Sequence, residues 1–195
     1  MKITIDGREI EVTEEKAKEM REILGIKPKT LAEVAVGDTF RIGEFEFIKF
    51  ADNNGQTTAV MRESIFDSKF DNNTNNFAKS SLYKRLVKEV MPKIEGIVGA
   101  ENIVEFETDL FTADGLDIYG KMNSKISLPT FDFHRRNRAI FDKYPMENWW
   151  WTSTANGNEY FVFCVSPRGD LYRGGCDGVR GVRPFIIFDS NIFVS

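Results

Sequence analysis

The sequence is poor in most residues and patterns that mark a familiar chemistry. It has one histidine and two cysteines in 195 residues, Cys164 and Cys176, with no CxxC spacing, so a Cys/His zinc centre has no ligand set to draw on. The cysteines read as reduced thiols, and a disulfide between them stays open because strands joined by a returning loop bring such residues together. No GxGxxG, GxxxxGK[ST], GxSxG or HExxH occurs, which removes the phosphate-cradle, nucleophile-elbow and zinc-protease readings. A basic excess is also missing. Lys and Arg number 26 against 30 Asp and Glu, for a net charge of −4 and a pI near 5.2, which argues against a general nucleic-acid or anionic-membrane surface. No apolar run approaches the roughly eighteen residues of a membrane span, and the first residues lack the basic-then-apolar pattern of a secretory signal. The chain is therefore expected in the cytoplasm unless carried out on a particle, with no cofactor, no metal, and neither nucleic acid nor membrane as partner.

What is present is an ordinary globular composition, 42% hydrophobic and 29% charged, with seventeen phenylalanines. This suits one domain with a small appendage. Ile3, Ile5, Ile10 and Val12 alternate around Asp6-Gly7, which predicts a hairpin. Thr13 caps a predicted helix with Glu14 and Glu15 in its first turn, Ala17, Met20, Ile23 and Leu24 on its apolar face, and Gly25 at its end. Residues 1–29 so read as a hairpin-helix appendage too small to bury much alone. It is expected to dock on the main body, residues 30–195, or on another copy of the chain.

From Thr39 the period returns to two, with Phe40, Ile42, Phe45, Phe47 and Val60 on strands separated by Gly43-Glu44 and Asp52-Asn53-Asn54-Gly55, an antiparallel meander. After the polar loop Asp71–Asn76, Leu82, Leu86, Val90, Ile94 and Ile97 recur at helical spacing behind a Ser80 or Ser81 cap. This is the longest predicted helix, interrupted near Pro92. A strand over Ile103–Leu110 follows, then a shorter helical segment opened by Pro129-Thr130 that includes Phe131 and Ile140. Two helices among antiparallel strands, without βαβ alternation, indicate an α+β fold and exclude a doubly wound sheet.

Candidate chemistry is thin. His134 lies in His134-Arg135-Arg136-Asn137-Arg138 with no Ser, Cys or carboxylate motif to pair with. Asp132, Asp142 and Glu147 flank that run, so it reads as a solvated helix face. Asp52-Asn53-Asn54-Gly55 lacks the later Glu of a calcium loop and reads as a turn. The informative feature is a bracket: all three tryptophans, Trp149, Trp150 and Trp151, stand before Thr152, and Gly181-Val182-Arg183-Pro184-Phe185 closes a polar, glycine-punctuated segment after them. That segment looks displayed.

The tryptophan run, Val162–Ser166 leading into Pro167-Arg168-Gly169, and Gly181–Phe185 together resemble an uncharacterised domain common in Firmicutes phage and prophage proteins, marked by a WW-x-[RT]-[ST] strand and a terminal GVRP strand. The likeness extends to Val36-Gly37-Asp38, to Ile42–Phe47, to the Asn-rich loop and to the opening hairpin, so it covers most of the chain. Those domains are similar to C-type-lectin-like folds, including the variable proteins of diversity-generating retroelements and the formylglycine-generating enzyme. The resemblance implies a C-type-lectin-like domain over 30–195 with N- and C-terminal strands paired, Phe185–Phe188 and Ile192–Val194 lying near Thr39–Ile48. The enzyme branch needs a closely spaced reactive cysteine pair and the sugar-binding lectins need Glu-Pro-Asn, Gln-Pro-Asp or Trp-Asn-Asp; this chain has neither.

What the resemblance then implies is a non-enzymatic display module, cytoplasmic or virion-associated, that recognises a protein or glycan through the loop surface 153–180. The implied contacts are Asn156, Asn158, Tyr160, Arg168, Asp170, Tyr172, Arg173, Asp177 and Arg180, with an ordinary solvent-facing loop as the plain alternative. Trp149, Trp150, Trp151, Arg183 and Pro184 form framework, Arg183 as an ion pair or a carbonyl clamp. Two further readings stand beside it. One is a structural virion or host-interaction protein assembling as a homo-oligomer through residues 1–29, and the other an enzyme of unfamiliar mechanism.

Overall fold

The computed structural model describes residues 2–5, 8–11, 16, 23, 29–157 and 160–195. Strands β1 (Lys2–Ile5) and β2 (Arg8–Glu11) pair antiparallel with Ile3 opposite Ile10. The Asp6-Gly7 turn, the Thr13 cap and the Gly25 stop lie outside the described residues; Lys16 and Ile23 are helical. The chain continues through β3 (Lys29–Thr30), β4 (Thr39–Ile42), β5 (Phe45–Asn53), β6 (Gln56–Met61) and β7 (Asp67–Lys69). Helices α1 (Ser81–Arg85) and α2 (Met91–Val98) are joined by a π turn over Leu86–Val90. Then come β8 (Ile103–Val104), β9 (Phe106–Asp109), β10 (Lys121–Ser124), α3 (Phe131–Arg136) and α4 (Arg138–Phe141). Strands β11 (Trp150–Ala155), β12 (Phe161–Val165), β13 (Leu171–Gly175), β14 (Val179–Gly181), β15 (Phe185–Asp189) and β16 (Phe193–Val194) finish the chain. The fold is mixed α+β with mostly antiparallel sheets. Among the described residues no helix is long and apolar enough to cross a membrane.

Two five-stranded sheets organise it. The first, β4-β5-β6-β15-β8, is antiparallel throughout. The second, β13-β12-β11-β14-β7, is antiparallel except where Trp150 of β11 meets Gly181 of β14 in parallel. The alternating phenylalanines pack on one another in the first sheet: Phe40 stacks on Phe47 at 5.5 Å, and Phe188 meets Phe47 edge-on at 5.3 Å. Lys49 is buried in the same sheet because its ammonium has partners, donating to Leu31 O at 2.8 Å and Asp52 Oδ2 at 2.7 Å. Burial pushes the Asp52 carboxyl up, but Lys49, Ser190 and Thr57 outweigh it and hold the group below its ordinary range.

The last long strand departs from expectation. β15 pairs with β6, Phe185 opposite Val60 through Asp189 opposite Gln56, and with β8 on its other side. It does not lie beside Thr39–Ile48. Tight turns place β4 and β6 on the two edges of β5, so a returning strand can add only outside them, and β15 adds along β6. The chain end does meet the beginning of the main body: Phe193 and Val194 pair with Thr30 and Lys29, and Ser195 exchanges backbone hydrogen bonds with Arg41.

The long helix is interrupted just before Pro92, by a π turn and without a break in the chain's helical path. Pro92 has no N–H to donate to the preceding turn, and the chain widens just before it, with Met91 N bonding Leu86 O. The widened turn keeps Leu82, Leu86, Val90, Met91 and Ile94 buried while Ile97 turns outward. Ser80 caps the start, its hydroxyl accepting from Tyr83 N at 3.0 Å. The strand expected over Ile103–Leu110 divides at Glu105 into β8 and β9, which serve different sheets.

Candidate functional site

The tryptophan strand carries the platform. Trp150 stands opposite Val165 and Trp151 opposite Cys164, and strand alternation sends their rings to opposite faces. Trp151 is buried, donates Nε1–H to Ser68 O at 2.9 Å and meets Phe70 at 5.8 Å. Trp150 stacks on Phe141 at 5.5 Å, and half-buried Trp149 meets Tyr172 at 5.2 Å. Next to β11, β12 and β13 pair Phe163 with Arg173 and Cys164 with Tyr172. Arg173 therefore shares a face with Phe161 and Phe163, while Tyr172 shares the Trp151 face.

This register separates the candidate contacts. At the open end of the β12–β13 hairpin, the tip of the sheet away from their turn, Tyr160 donates its hydroxyl to Asp177 Oδ1 at 2.6 Å, and Arg173 lies 5.3 Å over the Phe161 ring. The Tyr160 ring crosses the backbone of Gly175, where an added Cβ would sit 2.8 Å from Cε1, so only glycine permits that approach. The Asp177 hydrogen bond, with desolvation and the Asp177 charge, pushes the Tyr160 phenol above its ordinary range. Tyr160 is 43% exposed, and Arg173 and Asp177 are exposed beside it. Asn158 lies outside the described residues.

The other candidates stand apart from the tip. Arg180 is half-buried over Trp151 and Trp149 at 5.5 and 5.9 Å, so it packs on the indoles of the tryptophan strand. Arg168 and Asp170 sit in the turn between β12 and β13, Arg168 84% exposed and 3.6 Å from Asp170. Asn156 is half-buried, its N–H donating to Phe161 O and its carbonyl accepting from Asn75 Nδ2 at 3.1 Å. Asn75, in the loop expected to be merely polar, is buried; it also donates to Phe161 O and accepts from the Tyr119 hydroxyl. Residues 153–180 are thus not one displayed loop, because Ser153–Ala155, Val162, Cys164–Ser166 and Cys176 are buried as sheet and core. Both cysteines are free, and burial pushes both thiols up, away from reactive thiolate.

At the other end of β12 a cleft of ≈ 270 Å³ opens between α3–α4 and the Ser166–Gly169 turn, with Trp150 and Arg183 in its wall. His134 lines it and is 1% exposed, which corrects the solvated-face reading: Arg135 and Arg136 face water, His134 does not. Its ring packs 4.9 Å from Phe141 and 5.5 Å from Trp150. Burial first, then the Arg138 and Arg183 charges, lower its pKa to about 4 against an opposing pull from Asp142. Neither ring nitrogen has a partner among the described residues.

Arg183, also 1% exposed, lies 5.0 Å over Trp150 and 5.2 Å over Phe141. Its Nε donates to Met61 O at 2.9 Å, a carbonyl clamp, while Nη2 has no acceptor and no carboxylate forms a salt bridge with it among the described residues. Burial lowers its pKa to about 10, with Glu63 opposing. Arg138 by contrast is fully used, donating to Asp142 Oδ1 at 2.6 Å, Gly169 O at 2.7 Å and Arg168 O at 2.6 Å. Gly169, at φ +79°, is required there, since a Cβ would meet the Arg138 guanidinium at 2.7 Å.

The spacing His134 to Phe141, seven residues along a helical run, places both on one stripe and is the signal that could have put His134 inside. Chemically, the cleft offers donors without acceptors, and the tip offers an oriented aromatic-and-charge group. Among the described residues no three His, Cys, Asp or Glu side chains converge as a metal site. No family model, no curated protein and no solved structure matches the chain.

Proposed function

We propose that the protein is a non-enzymatic binding module of C-type-lectin-like fold, of the phage and prophage kind its motifs resemble, which recognises a protein or glycan through the sheet tip where β12 begins and β13 ends. The observation that carries this is the Tyr160–Asp177 hydrogen bond with Arg173 over Phe161, exposed at the end of a sheet whose central strand β11 is buried along its length. Tyr and Arg supply large contact area and many donors, and side chains already held in place lose less freedom on binding. Two placements favour the fold assignment: Trp150 lies directly beside Gly181, joining the two motifs, and the chain end pairs with Lys29–Thr30. Such a module works in the cytoplasm or on a virion.

The test is a screen of immobilised glycans and peptides with the intact chain and with Tyr160→Ala/Arg173→Ala. The expected outcome is retention by the intact chain, weakened by about 2 kcal/mol or more in the variant as for interface anchors, with unfolding unchanged. Retention that is equal in both proteins, or lacking in both, ends the reading.

A second reading, assembly through residues 1–29, draws on Ile23, a helical residue of the predicted apolar face that is 77% exposed. It is tested by the solution mass of a chain beginning at Lys29, which spares the β3 pairing with β16. Assembly predicts a drop from oligomer to monomer; an unchanged monomer excludes it.

A further inference from the structure

The cleft is separate from the Tyr160 end of the sheet, and Arg183 Nη2 and both His134 ring nitrogens have no partner among the described residues. We infer that it is a binding site for the carboxylate of a small ligand with an apolar body, held by Arg183 and His134. A buried guanidinium without a carboxylate is costly to keep, and Arg183 is anchored by one bond only, leaving Nη2 unsatisfied on a residue that lines the cleft. His134 adds an imidazole whose nitrogens are equally unsatisfied, so its N–H is free to donate to the same anion.

The remaining charged groups around the site are committed. Arg138 is spent on Asp142 and on the carbonyls of Arg168 and Gly169, which fixes the turn forming one wall, and Arg168 at the rim lies by Asp170. Glu63 acts on Arg183 only as a charge without a bridge. One uncompensated buried cation matches a monoanion; a phosphate dianion would leave excess negative charge in a poorly solvated cleft. Phe141, Met146, Trp150 and Val165 supply the apolar wall that a ligand body would cover.

Because the chain has a single histidine, its imidazole resonances report on the site without ambiguity. The experiment titrates the ¹⁵N-labelled full chain with sodium butyrate, the uncharged butyramide and sodium phosphate. A saturable His134 shift with butyrate is expected, together with an upward move of its titration and no saturation by butyramide. Arg183→Met should weaken butyrate about ten- to a hundredfold, the worth of a charged hydrogen bond. Should that variant fail to fold, the butyrate–butyramide contrast in the unaltered protein still decides the matter. Equal responses to butyrate and butyramide, no saturable response, or saturation by phosphate alone each overturn the carboxylate assignment. A negative result here leaves the reading of the Tyr160 end untouched, since Tyr160, Arg173 and Asp177 do not line the cleft.

Discussion

The two ends of strand β12 use similar side chains to opposite effect. At the tip Tyr160, Asp177 and Arg173 pair with neighbours and still face water. Roughly 15–20 Å along the strand, Arg183 and His134 are buried with polar atoms left unsatisfied. Exposure with partners costs the fold little, so the tip is available for recognition without instability. Burial without partners is expensive, and a fold keeps it only against a stability penalty. The proposed display surface is legible as exposed charge and aromatics, whereas the proposed cleft site is marked by missing compensation.

The largest disturbance to both ends comes from the shared platform. Trp150→Ala removes a buried ring that contacts Phe141, His134 and Arg183, and should cost about 3–5 kcal/mol in urea unfolding. A loss below about 1 kcal/mol would mean that the ring is not the packed element described.

Next in size is a pH effect confined to the cleft. His134 stays neutral in the folded chain down to about pH 4, whereas the unfolded chain takes up that proton near pH 6.5. Stability from this residue is therefore complete above about 6.5 and falls by about 3 kcal/mol as pH drops to about 4. Urea midpoints measured across that window should show the loss in the native sequence and a flatter limb in His134→Phe. At pH 7 the same substitution, which removes two unsatisfied nitrogens, should be neutral or stabilising by about 1 kcal/mol; clear destabilisation would mark His134 as structural after all.

The smallest effect belongs to the tip. Asp177→Asn should return the Tyr160 phenol toward its ordinary titration near 10.0, read by ultraviolet absorbance, while leaving the urea midpoint in place. An unshifted phenol would mean that the pair is not formed in solution, and the tip would lose its preorganisation.

Local features were the legible ones. The meander follows from period-two phenylalanines and tight turns, and the long helix from the spacing of Leu82, Leu86, Val90 and Ile94, because both signals lie within a few residues. The partner of β15 depends on which edge the meander leaves open, a property of the assembled sheet. The interruption near Pro92 is legible from the proline, but its form, a widened turn, answers to core packing as well. Within the site, the basic neighbours of His134 masked its stripe with Phe141. Asn75 looked like loop polarity because its acceptors lie far along the chain. The clamp by Arg183 on a carbonyl was suggested by its place beside Pro184, but its lack of a carboxylate emerges only once every neighbour is placed.

The most direct test of the division between tip and cleft is the glycan and peptide screen run with three proteins side by side: the intact chain, Tyr160→Ala/Arg173→Ala, and His134→Phe. Recognition through the tip predicts that the double variant loses the retained ligand while His134→Phe keeps it at unchanged affinity. Retention lost in His134→Phe and preserved in the double variant would contradict it and move the recognition surface to the cleft.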